Sequence, residues 1–400
     1  MSTSVEMLSI ANRASRMLSE LSGVIREQRV EFEQDIFYLV YSKASVAKLP
    51  GLTRAIVEKA MSEMESAGYV FKKRKAGNSE KYALTIENIV DIYAHRGFPK
   101  YKSKHEKAFT IFVTNLKGGV SKTVSTVSLA HALRTHPHLI QEDLKILVVD
   151  LDPQSSATMF LNHECSIGNV DSTAAQAMLQ NISTEELMNE FVVPSIVNGV
   201  DVIPASIEDA FIASKWDELC REHLSDQNKF KILKENIIER LSDHYDFIFL
   251  DSGPHLDSFL MNSLASADLL MTPIPPAQVD FHSTLKYLTR LPELEALLLE
   301  EGVRVEIKGN IGFMSKIANK ADHKYCLSLA RDIFGRDMLD SSLPRLDGFE
   351  RCGESFDTVI SANPTTYVGS NEALKKAKEA AELFAKSVFD RIELIRGSYR

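Results

Sequence analysis

Apolar positions along this chain follow two rhythms that alternate over most of its length. Phe109 to Val113, Lys145 to Leu151 and Tyr245 to Leu250 contain short, nearly uninterrupted apolar runs, the pattern of strands buried on both faces. Further strands of this kind are expected over Val200 to Pro204, Leu269 to Ile274, Val305 to Met314 and Met338 to Leu343. Between and after them, apolar residues recur at spacings of three and four. They predict helices over Val124 to Leu133, Glu208 to Leu224, Lys229 to Leu241, Leu285 to Glu300, His323 to Phe334 and Asn371 to Arg396. Strand and helix alternating in this way predict an α/β fold with a doubly wound, mostly parallel sheet. Pro273, Pro275 and Pro276 end one strand, and Ala277 to Asp280 then reads as a switch loop. No internal repeat or low-complexity tract interrupts the pattern.

The first hundred residues follow a different plan. Met7, Ala11, Ala14, Leu18, Leu21 and Ile25 form a narrow apolar seam about three heptads long, which predicts a long N-terminal helix. Pairing with its own copy in a homodimer is favoured slightly over packing on its own domain. Ser42 to Leu49 reads as a short helix, Pro50 to Leu52 as a turn, and Thr53 as the cap of a second helix ended by Gly68. Val57, Ala60, Met61 and Met64 make the buried stripe of that helix, while Arg54, Glu58, Lys59 and Ser62 point elsewhere. Tyr69 to Arg74 and Lys81 to Leu84 then read as a hairpin around Ala76 to Ser79, with Lys72, Lys73, Arg74 and Lys75 on or near it. Helix, turn, helix and basic hairpin predict a winged helix-turn-helix. Its second helix, with Arg54 and Lys59, would enter the major groove, and the wing would contact phosphates. A helix from Ile86 followed by a basic stretch punctuated by Gly97 and Pro99 suggests a domain boundary near Lys107.

Charge sharpens this division. The 400 residues carry a net charge of −9, yet residues 43 to 107 hold 14 Lys or Arg against 7 Asp or Glu. That segment carries +7 and the rest −16, so a basic module precedes an acidic one. The usual partner of such a module is a polyanion; a merely solubilising surface is the alternative. An apolar fraction of 44% and a charged fraction of 25% suit a soluble globular protein. Cys165, Cys220, Cys326 and Cys352 lack the spacing for zinc or a shared iron–sulfur cluster, and read as reduced thiols in a cytoplasmic protein. No signal peptide or long apolar span is present.

The chemistry concentrates after the first buried strand. Asn115 to Thr123 reads Asn-Leu-Lys-Gly-Gly-Val-Ser-Lys-Thr. A strand entering a glycine turn that opens a helix makes a phosphate cradle. Backbone N–H groups from Gly118 through Val124, including those of Gly119, Val120 and Ser121, would face the anion. Lys122 would bridge terminal phosphates, and the Thr123 hydroxyl would ligate Mg²⁺. ATP or GTP is the implied ligand. The loop departs from the general phosphate-loop pattern, because Leu116 and Ser121 stand where glycines are usual and Lys117 precedes the glycine pair. Two further strands end in carboxylates, at Asp150-Leu-Asp152-Pro-Gln154 and at Asp251. Ligands sit beyond the carboxyl ends of such strands, which places Asp251 as a carboxylate for Mg²⁺, through water.

The Lys117 to Thr123 loop resembles the deviant phosphate loop of the ParA, MinD and nitrogenase-iron-protein superfamily, and Asp150 to Gln154 resembles its second motif. The resemblance implies that Lys117 reaches across a nucleotide-sandwiched dimer to the partner's phosphates. It also implies that Asp152 orients the attacking water, and that Asp150 supports Mg²⁺ and switch geometry. The family usually continues with Gly after Gln154; here Ser155 and Ser156 follow. With the basic module in front, and with Leu343 to Glu354 included, the whole chain resembles large plasmid-partition ParA proteins carrying an N-terminal winged helix-turn-helix. Three parts follow: a dimerisation helix over 1–40, the DNA-binding domain and basic linker over 41–107, and the ATPase domain over 108–400.

The resemblance further implies ATP and ADP binding with Mg²⁺, and slow hydrolysis stimulated by a ParB-type centromere-binding partner. It implies ATP-dependent, non-specific binding to nucleoid DNA for plasmid segregation, and operator binding for autorepression by the ADP or apo form. Family loop positions place Met314 and Pro344 at adenine. Arg351, Lys375 and Lys376, with Arg345 and Lys378 nearby, are candidates for the non-specific DNA surface. The expected location is cytoplasmic and nucleoid-associated, without a membrane partner. One rival is a MinD-like membrane-cycling ATPase, another a transcription repressor whose nucleotide is only an effector. The apolar stripe Leu374, Ala377, Ala381, Phe384, Val388, Ile392 and Ile395 favours packing on a core over lying on lipid.

Overall fold

A computed structural model describes residues 7–20, 23, 39–76, 79–162, 164–166 and 170–398. Residues 7–20 are helical, and their apolar side chains face outward: Met7, Leu8, Ile10, Met17 and Leu18 are all more than half exposed. The seam therefore finds no cover within the described part of its own chain. Its last two expected members, Leu21 and Ile25, lie outside the described residues.

Helices Lys43–Val46 and Arg54–Ser66 start where hydroxyl caps dictate. Ser42 and Thr53 accept the backbone N–H groups of Ser45 and Ile56. Val57, Ala60, Met61 and Met64 are buried, as their spacing requires. The hairpin pairs β1 (Lys73–Ala76) with β2 (Ser79–Tyr82). Pairing begins later than the expected strand at Tyr69, because Phe71 turns into the core while Val70 stays exposed. Phe71 is buried there, and the Tyr69 hydroxyl donates to Asp91 at 2.5 Å. A bridge between Tyr41 and Leu84 continues the sheet at its base. Helix Ile86–His95 follows, its first turn closed by a reciprocal capping box between Thr85 and Asn88.

The basic stretch after it is docked against the next domain. Tyr101 is fully buried, its ring packs on Phe247 and Phe389, and its hydroxyl donates to Glu393. The Lys102 ammonium donates to the carbonyls of Ser242 and Tyr245 at 2.9 and 2.6 Å. Lys100, Lys104 and Lys107 pair with Asp143, Glu142 and Asp243. Part of the positive excess read from the sequence is thus met by carboxylates of the same chain. One apolar cluster runs from the N-terminal unit into the sheet.

Among the described residues, eight further strands form the central sheet: β3 (Phe109–Val113), β4 (Ile146–Leu151), β5 (Val193–Pro194), β6 (Val200–Ile203), β7 (Phe247–Ser252), β8 (Leu269–Ile274), β9 (Asn310–Ile317) and β10 (Leu343–Pro344). Their order is β10-β9-β8-β3-β7-β4-β6-β5, and every neighbour is parallel except β5 with β6. Helices cover both faces. β3, β4, β7 and β8 are buried along their whole length, which their continuous apolar runs require.

Five expectations need correction. β9 starts at Asn310 and not Val305, because Val305 and Ile307 pack beside the second core before pairing with β8 begins. The expected strand from Met338 reduces to a bridge with Gly312 and the short β10. The helix expected over 208–224 breaks at Lys215, and the one over 229–241 contains a π-helical turn at Lys234–Ile238. Ala277 to Asp280 is no loop: Ala277 is the N-cap and Gln278–Glu300 is one helix, with Pro292 inside it.

The last helix, Asn371–Ser398, buries Leu374, Ala377, Ala381, Phe384, Val388 and Ile392 against the core, which leaves that stripe no face for lipid. No helix among the described residues is long and apolar enough to cross a membrane.

Candidate functional site

The carboxyl ends of β3, β4 and β7 converge on one cleft of about 550 Å³. The loop after β3 is anchored from below by Asn115. Its Oδ1 accepts the Lys117 N–H at 3.0 Å, and its Nδ2 donates to the Pro273 carbonyl and the Thr284 hydroxyl. Gly119 has φ +75°, a left-handed conformation that glycine adopts without strain. Ser121, which replaces a usual glycine, keeps the left-handed backbone at φ +74° and serves as N-cap of helix Lys122–Thr135. Ser155 does the same at φ +50° after Gln154. Both serines thus take up a left-handed backbone of the kind that glycine adopts without strain.

Gly118, Gly119, Ser121, Lys122, Thr123 and Val124 line the cleft, whereas Val120 is buried behind it. The Lys122 ammonium is largely buried, and burial pulls its pKa down while Asp251 and Asp152 oppose that shift. The Thr123 hydroxyl donates to Asp251 Oδ2 at 2.7 Å. Asp251 Oδ1 is buried and has no hydrogen-bond partner. An orphaned carboxylate oxygen beside a threonine hydroxyl is the donor chemistry that a hard divalent cation takes up. Burial raises the Asp251 pKa, and nearby Asp152 adds to the rise, so a cation would also relieve the electrostatic cost.

Asp150, expected to support Mg²⁺ and the switch geometry, is engaged through both of its oxygens. It is fully buried beside Asp251 in the strand register. Its Oδ1 accepts the Asp152 N–H, and its Oδ2 accepts both the backbone N–H and the hydroxyl of Thr158, at 2.8 Å each. Asp150 thus ties the loop down. Asp152 lines the cleft and accepts the Gln154 N–H at 3.0 Å. Lys117 lies outside the cleft lining, with its ammonium 3.6 Å from Asp280.

At the far end of the cleft, Pro344 is present but Met314 is not. Met314 is buried in a satellite core with Ile274, Phe281 and Cys326, because strand alternation sends Ser315 toward the phosphate loop and Met314 the other way. Phe160, Phe349 and Arg345 also line the cleft, and Lys316 lines it beside the phosphate loop. Nothing in the sequence singled out Asn115, Thr158, Ser315 or Lys316, since their roles depend on which loops meet.

The candidate DNA residues fall on two surfaces. Arg54 pairs with Glu58 and Lys59 with Glu63 along an exposed helix face. Lys72, Lys73, Arg74 and Lys75 are exposed on the hairpin, with the Lys73 ammonium over the Tyr82 ring. Arg351, Lys375 and Lys376 lie on the packed helices Asp347–Glu354 and Asn371–Ser398, each beside a local glutamate.

Comparison with known proteins agrees with this two-part layout. Residues 14–105 match the model of the ParA helix turn helix domain, and residues 108–296 match an AAA domain. A plasmid partition protein A from Escherichia coli is 66% identical over 398 residues, covering 100% of both chains. A solved partition protein is 51% identical, covers 98% of each chain and superposes with a TM-score of 0.79. A cobyrinic acid a,c-diamide synthase from Mycobacterium smegmatis, solved with bound ADP and magnesium, shares the fold at 17% identity and a TM-score of 0.53, over 72% of this chain and 96% of that one. Full-length likeness at this level, on a fold whose P-loop cleft and winged N-terminal unit are both in place, means that the chain belongs to the plasmid partition protein A family, with a ParA helix-turn-helix domain in front of an AAA-type ATPase domain.

Proposed function

We propose that this protein hydrolyses ATP slowly and uses the nucleotide to switch between two kinds of DNA binding: non-specific binding to the nucleoid for plasmid segregation, and operator binding for autorepression. The observation that carries the reading is the meeting of Lys122, Thr123 and Asp152 at one cleft, with the Asp251 carboxylate buried directly behind the Thr123 hydroxyl and one of its oxygens orphaned. Lys122 would neutralise phosphate charge, and Thr123 with Asp251 would hold Mg²⁺. The bound cation would offset charge on the terminal phosphates. Asp152 orients the attacking water and Asp150 holds the loop that carries it. Lys117, parked on Asp280, swings to the phosphates of a second copy when two chains sandwich nucleotide.

Arg345, which lines the cleft, is paired with Glu350 at 3.2 Å, and the phosphate-loop motifs carry no arginine finger, a group worth roughly 10³–10⁵ in rate, so turnover is slow until a ParB-type partner stimulates it. Residues 1–40 dimerise, residues 41–107 read the operator, and residues 108–400 form the ATPase. Arg351, Lys375 and Lys376 belong to the nucleoid-binding surface. The test is binding of the purified protein to operator and random duplexes, each with ATP, ADP and no nucleotide. Operator preference in ADP and random-DNA binding confined to ATP are expected. Nucleotide-independent binding to both would overturn the switch.

A further inference from the structure

We propose that Ser315 and Lys316 form a two-pronged clamp that sets the shape of the phosphate loop. This role rests on reading the cleft as a nucleotide site. The Ser315 hydroxyl, fully buried, donates to the Val120 carbonyl at 3.0 Å. The adjacent Lys316 ammonium donates to the Gly119 carbonyl at 2.7 Å. Two consecutive side chains of β9 thus hold two consecutive carbonyls of the loop.

Neighbouring residues of a regular strand point to opposite faces and could not do this. β9 can because its pairing with β10 is irregular. Leu343 pairs with Ser315 and Pro344 with Ile317, so the register shifts and Lys316 is left out of it. Lys316 also has φ +54°, a left-handed backbone that a non-glycine residue adopts only at a cost. The bulge and the strained backbone together deliver both side chains to the same loop.

The consequence follows from peptide geometry. In a trans peptide the C=O and the next N–H point in opposite directions. Holding the Gly119 and Val120 carbonyls on β9 therefore turns the N–H groups of Val120 and Ser121 away from β9, free to meet an anion. Gly118-Gly119 is the segment where peptide planes rotate most easily, so without the clamp the bare loop would sample orientations that aim carbonyl oxygens at phosphate. Lys316 and Ser315 act through the loop, as positioning residues.

The mechanism makes a specific demand: loss of the clamp weakens ADP and ATP by the same factor, since the loop amides serve both. The experiment is calorimetric titration of the full chain with MgATP and MgADP, with the steady-state KM and kcat and the nucleotide-free melting temperature measured alongside. Lys316→Met and Ser315→Ala are each expected to weaken both nucleotides about three- to tenfold, the range for one lost hydrogen bond. KM should rise with kcat little changed. Lys316→Gly, which relieves the backbone, should lose as much affinity as Lys316→Met without melting earlier, and Lys316→Arg should restore most of it. Unchanged affinities, or a lower melting temperature with normal affinity, would overturn the clamp. A loss confined to ATP would overturn it in favour of direct contact with the terminal phosphate. Failure of the wild-type chain to bind either nucleotide would instead remove the nucleotide reading itself.

Discussion

Single residues in this site divide by what they touch. Lys122 sits inside the cleft with its charge strained by burial, while Asp152 lines the same cleft and is braced only by its own loop. Their losses should therefore differ. Lys122→Ala is expected to abolish productive nucleotide binding. Asp152→Ala should bind ATP with near-normal affinity and fail to hydrolyse it. Paired titration and phosphate-release measurements check this, and a hydrolysis rate in Asp152→Ala equal to that of the unaltered protein refutes the catalytic role. Arg134 is a second residue whose contacts decide its effect. Its side chain is wholly buried, donating to Asp143 at 2.7 Å and to the carbonyls of Asn198 and Leu144. Burial pushes the Asp143 carboxyl up, but Lys100 and Arg134 outweigh it and hold it below the usual range. Asp143 keeps Lys100 at 2.7 Å when Arg134 is removed, so the loss falls on the buried carbonyls of Asn198 and Leu144 that the guanidinium serves, and Arg134→Ala should destabilise the fold by about 1–3 kcal/mol. A melting temperature within a degree of the wild type would contradict that.

At the scale of elements, helix Lys122–Thr135 begins in the phosphate loop and carries a buried histidine at its centre. The His131 ring lies between the Thr358 and Ser195 hydroxyls, and burial pulls its pKa from 6.5 down to about 3. Between those values the unfolded chain takes up a proton that the native helix refuses. The stability linked to His131 is complete above about pH 6.5 and is lost progressively as pH falls toward 3. His131→Gln should therefore melt with a smaller drop between pH 7.5 and pH 5 than the wild type; an unaltered drop would mean that other groups carry it. Elements with a single dominant signal were legible in the sequence. β3 and the helix from Asn371 follow from their apolar runs and stripes, and Thr53 marks a helix start by capping chemistry. Elements set by tertiary partners were not. β9 starts only where β8 can pair with it, the wing slides because Phe71 is drawn into the core, and Met314 faces away from the cleft because Ser315 is held by the loop. The cleft's polar anchors on β3, β4 and β7 could be named from the strand-end motifs. Its far wall is assembled from segments nearly two hundred residues apart and carries no local mark.

The whole molecule joins a basic helix-turn-helix module to an acidic ATPase domain through a stretch that looks like a linker and is docked as part of the ATPase domain. Lys100, Lys104 and Lys107 spend their charge on Asp143, Glu142 and Asp243, so they are poor candidates for DNA. The hairpin lysines are different. Lys72, Lys73 and Arg74 stand exposed on β1 or just before it, where a duplex held by helix Arg54–Ser66 would pass. Contacts to phosphate carry no sequence information, and each releases counterions. Replacing Lys72 and Lys73 with Gln should then lower affinity for operator and random duplexes by similar factors. The slope of log affinity against log salt should become shallower by roughly one unit per lost contact. The same Gln substitutions at Lys100 and Lys104 should leave that slope unchanged while lowering the melting temperature, because those side chains brace the junction. A fragment that begins at Phe98 keeps Tyr101 seated between Phe247 and Phe389, whereas one that begins at Phe109 exposes both rings. The longer fragment is therefore the fair test of the helix-turn-helix module. It should bind and hydrolyse ATP yet show no preference for operator, and an operator preference surviving in it would move sequence recognition out of residues 41–107.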